Sequence, residues 1–123
     1  MGDMVHFPSH YIETSVTLEP IDVLRYAPFD LGNALKYIIR AGHKGDELQD
    51  WEKAKVYLEW VEERLDGGHY EVYKNYFDMY GLLLMKFPRV KEAIGLRHPA
   101  SYEWVSLLLI YVKKKIKLST GKN

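Results

Sequence analysis

Apolar residues recur at helical spacing along most of this chain, most clearly in its middle. One stripe repeats at intervals of three, four, three and four residues: Trp51, Ala54, Leu58, Val61 and Leu65. Such a stripe gives a helix one apolar face, of the kind that pairs antiparallel helices. Asp46 is suited to cap the start of this helix, and the pair Gly67-Gly68 ends it.

Two shorter helices are predicted before the long one. Pro20 suits the first turn of a helix over about 20–26, because the missing N–H of proline has no helical partner there in any case. Asp30 is predicted to be the N-cap of a second helix over 31–41, which Gly42 ends. The second helix and the long helix are therefore expected to form an antiparallel hairpin.

Two further helices are predicted in the C-terminal half, over about 70–86 and 102–117. The pairs Phe87-Pro88 and His98-Pro99 interrupt the pattern around them. Residues 1–18 show no helical period and are predicted to be an irregular N-terminal arm. The whole pattern predicts an all-α fold, a small helical bundle built on the antiparallel hairpin.

Length and composition favour one domain over residues 1–123. The chain has 123 residues and no cysteine, which excludes thiolate metal sites and a cysteine nucleophile. Its start lacks a basic segment followed by an apolar one, and its longest apolar stretch, 104–112, is shorter than the roughly 20 residues that cross a membrane. We therefore expect a soluble, cytoplasmic protein without a membrane partner.

The charges are balanced overall but divided unevenly along the chain. Residues 1–66 contain 13 acidic and 7 basic residues, whereas residues 67–123 contain 4 acidic and 10 basic residues. The favoured interpretation is a folded dipole or a head-to-tail contact between copies. Binding of nucleic acid through the basic C-terminus is the less favoured alternative, because the run KKKIKL continues an apolar helix.

A second face of the hairpin is rich in cations and tyrosines. On the helix over 31–41, the apolar stripe leaves four residues on another side: Asn33, Lys36, Tyr37 and Arg40. The long helix adds Lys53 and Tyr57, and the turn between them adds Lys44. Grouped cations repel one another unless an anion lies between them, so this face indicates a phosphate site. The alternative is a solvated surface on which acids such as Glu47 and Glu52 form exposed ion pairs.

Four stretches of the sequence resemble a known family. They are HFPSHY from residue 6, EPIDVL over 19–24, LGNALKYIIRAGHKGDE over 31–47 and DWEKAKVYLEW over 50–60. Together they resemble a SaV-like family encoded by phages and catalogued as a domain of unknown function. The resemblance covers residues 6–65, with Phe7 inserted into the usual His-Pro-x-His-Tyr, and leaves 66–123 as a C-terminal helical extension without a counterpart.

The resemblance implies an activity, because one member of the family, from a short-tailed coliphage, is a nucleotide kinase. That member phosphorylates deoxynucleoside monophosphates without a P-loop and as a large oligomer. A nucleoside triphosphate would then be the phosphate donor, and a phage-encoded chain would work in the host cytoplasm. The matching positions in this chain are His10, Tyr11, Asp22, Gly32, Asn33, Lys36, Tyr37, Arg40, Lys44, Lys53 and Tyr57.

These residues suggest how a phosphoryl group could be transferred. The chain contains no GxxxxGK[ST] motif, so positive charge must come from side chains, and we expect catalytic roles for Lys36 and Arg40 with His10 as proton acceptor. The remaining candidates are expected to bind the base or the phosphates: Tyr11, Asn33, Tyr37, Lys44, Lys53 and Tyr57. The sequence requires no cofactor, and it does not indicate whether Mg²⁺ is needed.

Three alternatives stay open beside the kinase. A non-catalytic nucleotide-binding protein would use the same face, and a phage protein that interacts with a host protein would use an exposed apolar one. An all-α nucleotide pyrophosphatase is less favoured, because its two acidic pairs would both lie on one helix: Glu47 with Asp50, and Glu59 with Glu62. The five histidines are scattered, so we predict no metal site.

Self-association is expected as well. The chain contains ten tyrosines and three tryptophans, more large side chains than a small helical domain buries easily. Trp60 lies off the apolar stripe of its helix, and would be exposed unless another chain or the C-terminal helices cover it. We therefore predict a homo-oligomer.

Overall fold

The computed structural model describes residues 17–96 and 99–121, which contain six α-helices. They are α1 (Pro20–Leu24), α2 (Phe29–Arg40), α3 (Glu47–Asp66), α4 (Tyr70–Leu84), α5 (Pro88–Ile94) and α6 (Trp104–Thr120). A short 3-10 turn, Ser101–Glu103, precedes α6. The all-α prediction is confirmed for these residues, while the predicted N-terminal arm lies almost wholly outside them. None of the helices described is long and apolar enough to cross a membrane.

Two helix starts follow the local rules of capping. Asp46 caps α3, since its Oδ1 accepts a hydrogen bond from the backbone N–H of Gln49 at 3.1 Å, as predicted. Glu19 and Asp22 form a capping box at α1, in which each side chain satisfies a backbone N–H of the other's residue. The predicted short helix ends earlier than expected, at Leu24.

The predicted N-cap of α2 is wrong. The helix begins at Phe29 with Pro28 at the N-cap position, and Asp30 lies inside the first turn. The Asp30 carboxylate points inward, where it accepts the hydroxyl proton of Tyr73, from α4, at 2.9 Å to Oδ2. A tertiary hydrogen bond therefore uses the group that the sequence suggested for local capping.

The hairpin of α2 and α3 forms the centre of the fold, and α6 packs on α3. The predicted apolar stripe of α3 is confirmed, because four of its members are fully buried and the fifth is half-buried: Trp51, Ala54, Leu58, Val61 and Leu65. Opposite it, α2 buries Leu31, Ala34, Leu35 and Ile38. Packing of these two apolar faces leaves the tyrosines and lysines of the hairpin at its outer side.

The C-terminal half contains one helix that was not predicted. Pro88 was expected only to interrupt the helical pattern, but it occupies the first turn of a separate helix, α5. The predicted helices over 70–86 and 102–117 correspond to α4 and α6. Gly81 of α4 lies against Trp104 of α6, and a Cβ at this position would be 3.2 Å from the indole Cζ2. The glycine thus permits close packing of the two helices.

Candidate functional site

Two lysines from the two helices of the hairpin meet at one tyrosine ring. The ammonium nitrogen of Lys36 lies 4.6 Å from the centroid of the Tyr37 ring, and that of Lys53 lies 5.4 Å from the same centroid. Both distances are within the range of cation–π attraction. The structure therefore brings together three of the residues that the sequence predicted for the site.

A groove opens beside this tyrosine between α2 and α3. Its volume is about 430 Å³, and we call it the aromatic groove. It is lined by Tyr37, Gln49, Glu52, Lys53, Val56, Tyr57 and Trp60. The lining combines flat apolar surfaces with one cation, Lys53, one carboxylate, Glu52, and one amide, Gln49, all of which can hydrogen-bond a ligand.

The aromatic rings of the groove are in mutual contact. Tyr37 and Tyr57 are nearly parallel, with an interplanar angle of 11° and centroids 6.2 Å apart. Trp60 and Tyr57 form an edge-to-face pair with centroids 5.1 Å apart, and Phe29 and Tyr57 form a second one with centroids 6.1 Å apart. These geometries are favourable for aromatic pairs, so the rings form a continuous surface from Tyr37 to Phe29.

Part of this surface is open to solvent. Phe29 is 72% exposed and Trp60 is 48% exposed. Among the described residues, α4, α5 and α6 leave Trp60 half-exposed, and its coverage by a second copy of the chain stays a prediction. Large exposed rings next to charged groups are typical of binding surfaces.

The two lysines have no acidic partner in residues 17–96 and 99–121. The ion pairs there involve Arg40, Lys74, Arg89 and Lys115 as cations. The ammonium groups of Lys36 and Lys53 both lie near the Tyr37 ring, whose quadrupole partly compensates their like charges. An anion placed between them would compensate those charges more fully.

Arg40 occupies a different position from the one predicted. Its Nε lies 3.4 Å from Oδ2 of Asp50, and Asp50 is 2% exposed. Its Nη2 is also close to the turn, only 3.1 Å from where a Cβ on Gly45 would be. A buried carboxylate needs a counter-charge, so Arg40 is engaged with Asp50 and is absent from the lining of the aromatic groove.

Asn33 lies in a neighbouring groove of about 470 Å³ between α1 and α2. Its side-chain nitrogen donates to the carbonyl of Phe29 at 2.9 Å, which ties it to its own helix. Lys36 lines this second groove and not the aromatic groove, and it reaches the aromatic groove only through its contact with the Tyr37 ring. The structure thus separates Asn33 from Lys53, which the sequence placed in one pocket.

The other predicted site residues either do not line the aromatic groove or lie outside the residues that the structure describes. Lys44 is exposed in the turn between α2 and α3 and does not line the groove. His10 and Tyr11 lie outside the described residues. The prediction that His10 accepts a proton therefore stays a prediction.

The acidic pairs on α3 have other partners. Glu47 Oε2 accepts a hydrogen bond from the indole N–H of Trp51 at 3.1 Å, and Asp50 faces Arg40. Both acidic pairs lie on one helix, as the sequence predicted. Among the residues that the structure describes, no group of three or more His, Asp or Glu side chains is arranged to hold a metal ion.

Two aromatic residues of this surface were missed by the sequence analysis as site residues. Trp60 was interpreted as an oligomer contact, and Phe29 received no role. Tyr57 and Trp60 are three positions apart on α3, so their adjacency could have been read from helical spacing. The contact of Phe29 with Tyr57 joins α2 to α3 and has no local signal.

Comparison with known families gives a match to the N-terminal half of the chain. Residues 5–59 match the model of a family of proteins of unknown function, DUF3310. The matched segment includes α1, α2 and most of α3, and it ends just before Trp60. A comparison with curated proteins gave no match, and a comparison with solved structures gave none either. The match supports the expected domain of unknown function, while phage origin and kinase activity stay predictions.

Proposed function

We propose that this chain binds a nucleotide in the aromatic groove, with the phosphate held between Lys36 and Lys53. The observation that carries the proposal is the approach of both ammonium groups to one ring, Tyr37, at the edge of a groove lined by further aromatic rings. A phosphate at this position would be attracted by two cations. The base would extend from there over Tyr57 towards Trp60.

The phosphate end gains from charge. Hydrogen bonds between charged groups contribute roughly 1.5–3 kcal/mol each, more than neutral ones. Neither Lys36 nor Lys53 forms an ion pair within 4.0 Å among the described residues, although the Glu52 carboxylate lines the same groove as Lys53. A bound phosphate would therefore be attracted by both lysines without first breaking an ion pair.

The base end gains from stacking. A nucleobase on an aromatic side chain is stabilised by about 1–3 kcal/mol, and Trp60 offers a ring that is 48% exposed. Binding pockets for small molecules usually have volumes of roughly 300–1,000 Å³, a range that includes the aromatic groove at about 430 Å³. The groove is thus large enough for a mononucleotide.

We propose further that the ligand is a deoxynucleoside monophosphate and that the chain is a phage-type nucleotide kinase without a P-loop. This step rests on the resemblance. Phosphoryl transfer depends mainly on positioning and on positive charge near the transferred group, which Lys36 and Lys53 would supply. His10 would act as proton acceptor.

Binding without turnover is the second candidate, and one observation favours it. Arg40, expected to be catalytic, is engaged by the buried Asp50. The positive charge available near the groove is smaller than the sequence suggested. A protein that retains a nucleotide, or one that presents it to a host protein, needs only the two lysines and the rings.

Calorimetric titration with dTMP and dGMP tests the binding proposal. We expect Lys36→Ala and Lys53→Ala each to weaken binding by about ten-fold or more, as the loss of one charge-assisted hydrogen bond implies. Lys114→Ala is the matched control, because it removes the same charge from an exposed position on α6. Equal effects of all three variants, or no binding by the unmodified protein, would overturn the proposal.

Incubation with a nucleoside triphosphate separates the two candidates. The protein is mixed with dTMP or dGMP and each triphosphate, with and without Mg²⁺, and the products are separated by chromatography. Formation of a nucleoside diphosphate that is lost in Lys36→Ala supports the kinase. Binding without product supports the non-catalytic role.

A further inference from the structure

A second pocket adjoins the aromatic groove at Trp60. Its volume is about 270 Å³, and it is lined by Phe29, Asp30, Trp60, Glu63 and Arg64. We call it the acidic pocket. Trp60 lines both cavities, so a base that stacks on the indole reaches the boundary between them.

The buried side of the acidic pocket is formed by the Asp30 carboxylate, which can accept one hydrogen bond more than it already does. Asp30 is 5% exposed, and it accepts the hydroxyl proton of Tyr73, at 3.0 Å to Oδ1 and 2.9 Å to Oδ2, and the N–H of Leu31 at 2.8 Å. An ionised carboxylate offers about four lone-pair sites, so one more donor can be accommodated. Burial, with the hydrogen bond to Asp30, raises the pKa of Tyr73, so its hydroxyl remains the donor of this pair well above neutral pH.

The acidic pocket carries a net negative charge, which disfavours binding of an anion. Asp30 and Glu63 contribute two carboxylates against one guanidinium, and the Arg64 guanidinium lies 6.0 Å from the centroid of the Tyr73 ring. A phosphate would meet repulsion here, whereas an uncharged N–H donor between flat rings would be attracted. The acidic pocket and the two lysines thus favour opposite ends of a polar ligand.

From this arrangement we infer that the acidic pocket recognises the exocyclic amino group of a nucleobase. The inference rests on the proposed nucleotide binding and specifies its ligand: nucleotides of adenine, cytosine or guanine over those of thymine or uracil. The base lies against Trp60 and Phe29, and its amino group donates to Asp30 or Glu63. The phosphate remains at Lys36 and Lys53.

Discrimination follows from the hydrogen-bonding edges of the bases. Carboxylates accept from the amino group of cytosine, whereas thymine and uracil present carbonyl oxygens on both sides of their single N–H. When a base carbonyl faces a buried carboxylate, both groups are acceptors, so no hydrogen bond forms and the two oxygens repel each other. A well-placed contact of this kind discriminates between bases by about ten-fold or more.

Titration of the unmodified protein with dAMP, dCMP, dGMP and dTMP is the first test. We expect dTMP to bind about ten-fold more weakly than the best of the others. If dTMP binds as tightly as dCMP, dAMP and dGMP, the inference is wrong and the proposed function survives. If none of the four binds, the proposed function fails as well.

Two variants test the assignment of the carboxylates. Asp30→Asn keeps an oxygen that can accept from Tyr73 and presents an amide N–H₂ to the pocket, so we expect the preference to shift towards dTMP. Glu63→Gln changes an exposed residue and leaves the buried hydrogen bonds in place, which makes it informative even if Asp30→Asn does not fold. Tyr73→Phe keeps both carboxylates and should keep the preference. An unchanged order of affinities in both Asp30→Asn and Glu63→Gln would overturn the inference.

Discussion

Replacing Arg40 by alanine should destabilise the protein, whereas replacing Lys36 should not. In Arg40→Ala the Asp50 carboxylate, which is 2% exposed, loses its only ion pair within the described chain. Loss of one partner from a fully buried pair costs roughly 3–5 kcal/mol. Here the cation is partly solvated, with 43% of its side chain exposed, and the contact is a single one at 3.4 Å. We therefore expect a loss of about 1–2 kcal/mol in the free energy of unfolding.

Urea denaturation followed by far-UV circular dichroism measures this loss. Lys36→Ala is the matched control on the same helix, and because its ammonium contacts only a ring we expect a change within about 0.5 kcal/mol. Asp50→Asn in the Arg40→Ala background should recover part of the stability, since it removes the stranded charge. Equal midpoints for Arg40→Ala and Lys36→Ala would refute the reasoning, and Arg40 would then be free for a ligand.

Three further predictions concern packing, pH and assembly. Gly81→Ala should lower the free energy of unfolding by about 0.5–2 kcal/mol in the same denaturation assay, because the new Cβ would lie 3.2 Å from the Trp104 indole and the cost of overpacking exceeds the gain of about 1 kcal/mol in helix propensity; an unchanged or raised midpoint would show that the indole moves aside and would contradict this. Burial, together with its hydrogen bond to Glu92, raises the pKa of Tyr111 from 10.0 to about 12. The protonated phenol should therefore contribute its full stabilisation below pH 10, and the melting temperature should fall as the pH rises from there towards about 12. Tyr111→Phe should show a shallower fall over the same pH range. The protein should sediment as a homo-oligomer at micromolar concentration, and because the proposed base stacks on the Trp60 indole, Trp60→Ala should keep that oligomer; a monomeric unmodified protein would contradict the predicted self-association, and dissociation of Trp60→Ala would show that the indole is buried between copies and is not available to a base.

Features that depend on neighbours in the sequence were predictable. The stripe of α3 follows from a period that any helix imposes on its side chains, so the burial of Trp51, Ala54 and Leu58 could be read directly. The cap at Asp46 is equally local, because the accepting oxygen and the Gln49 N–H are three residues apart. The pairing of Lys36 and Lys53 was anticipated from the hairpin alone, since short turns place consecutive helices side by side.

Features that depend on distant residues were decided by the tertiary structure. Asp30 is a residue type that commonly caps helices, yet here its buried carboxylate accepts a hydrogen bond from Tyr73, which is 43 residues away in the sequence. Arg40 belongs to a cationic face by spacing, but Asp50 across the turn engages it. In both cases a buried carboxylate requires a partner, and that requirement outweighs the local preference. The sequence by itself determined five of the six helices described, with α5 missed, together with the apolar faces and two cations of the site. Only the packing of α2, α3 and α4 decided which charges are left for a ligand, because a charge that is buried must be neutralised by another group of the protein.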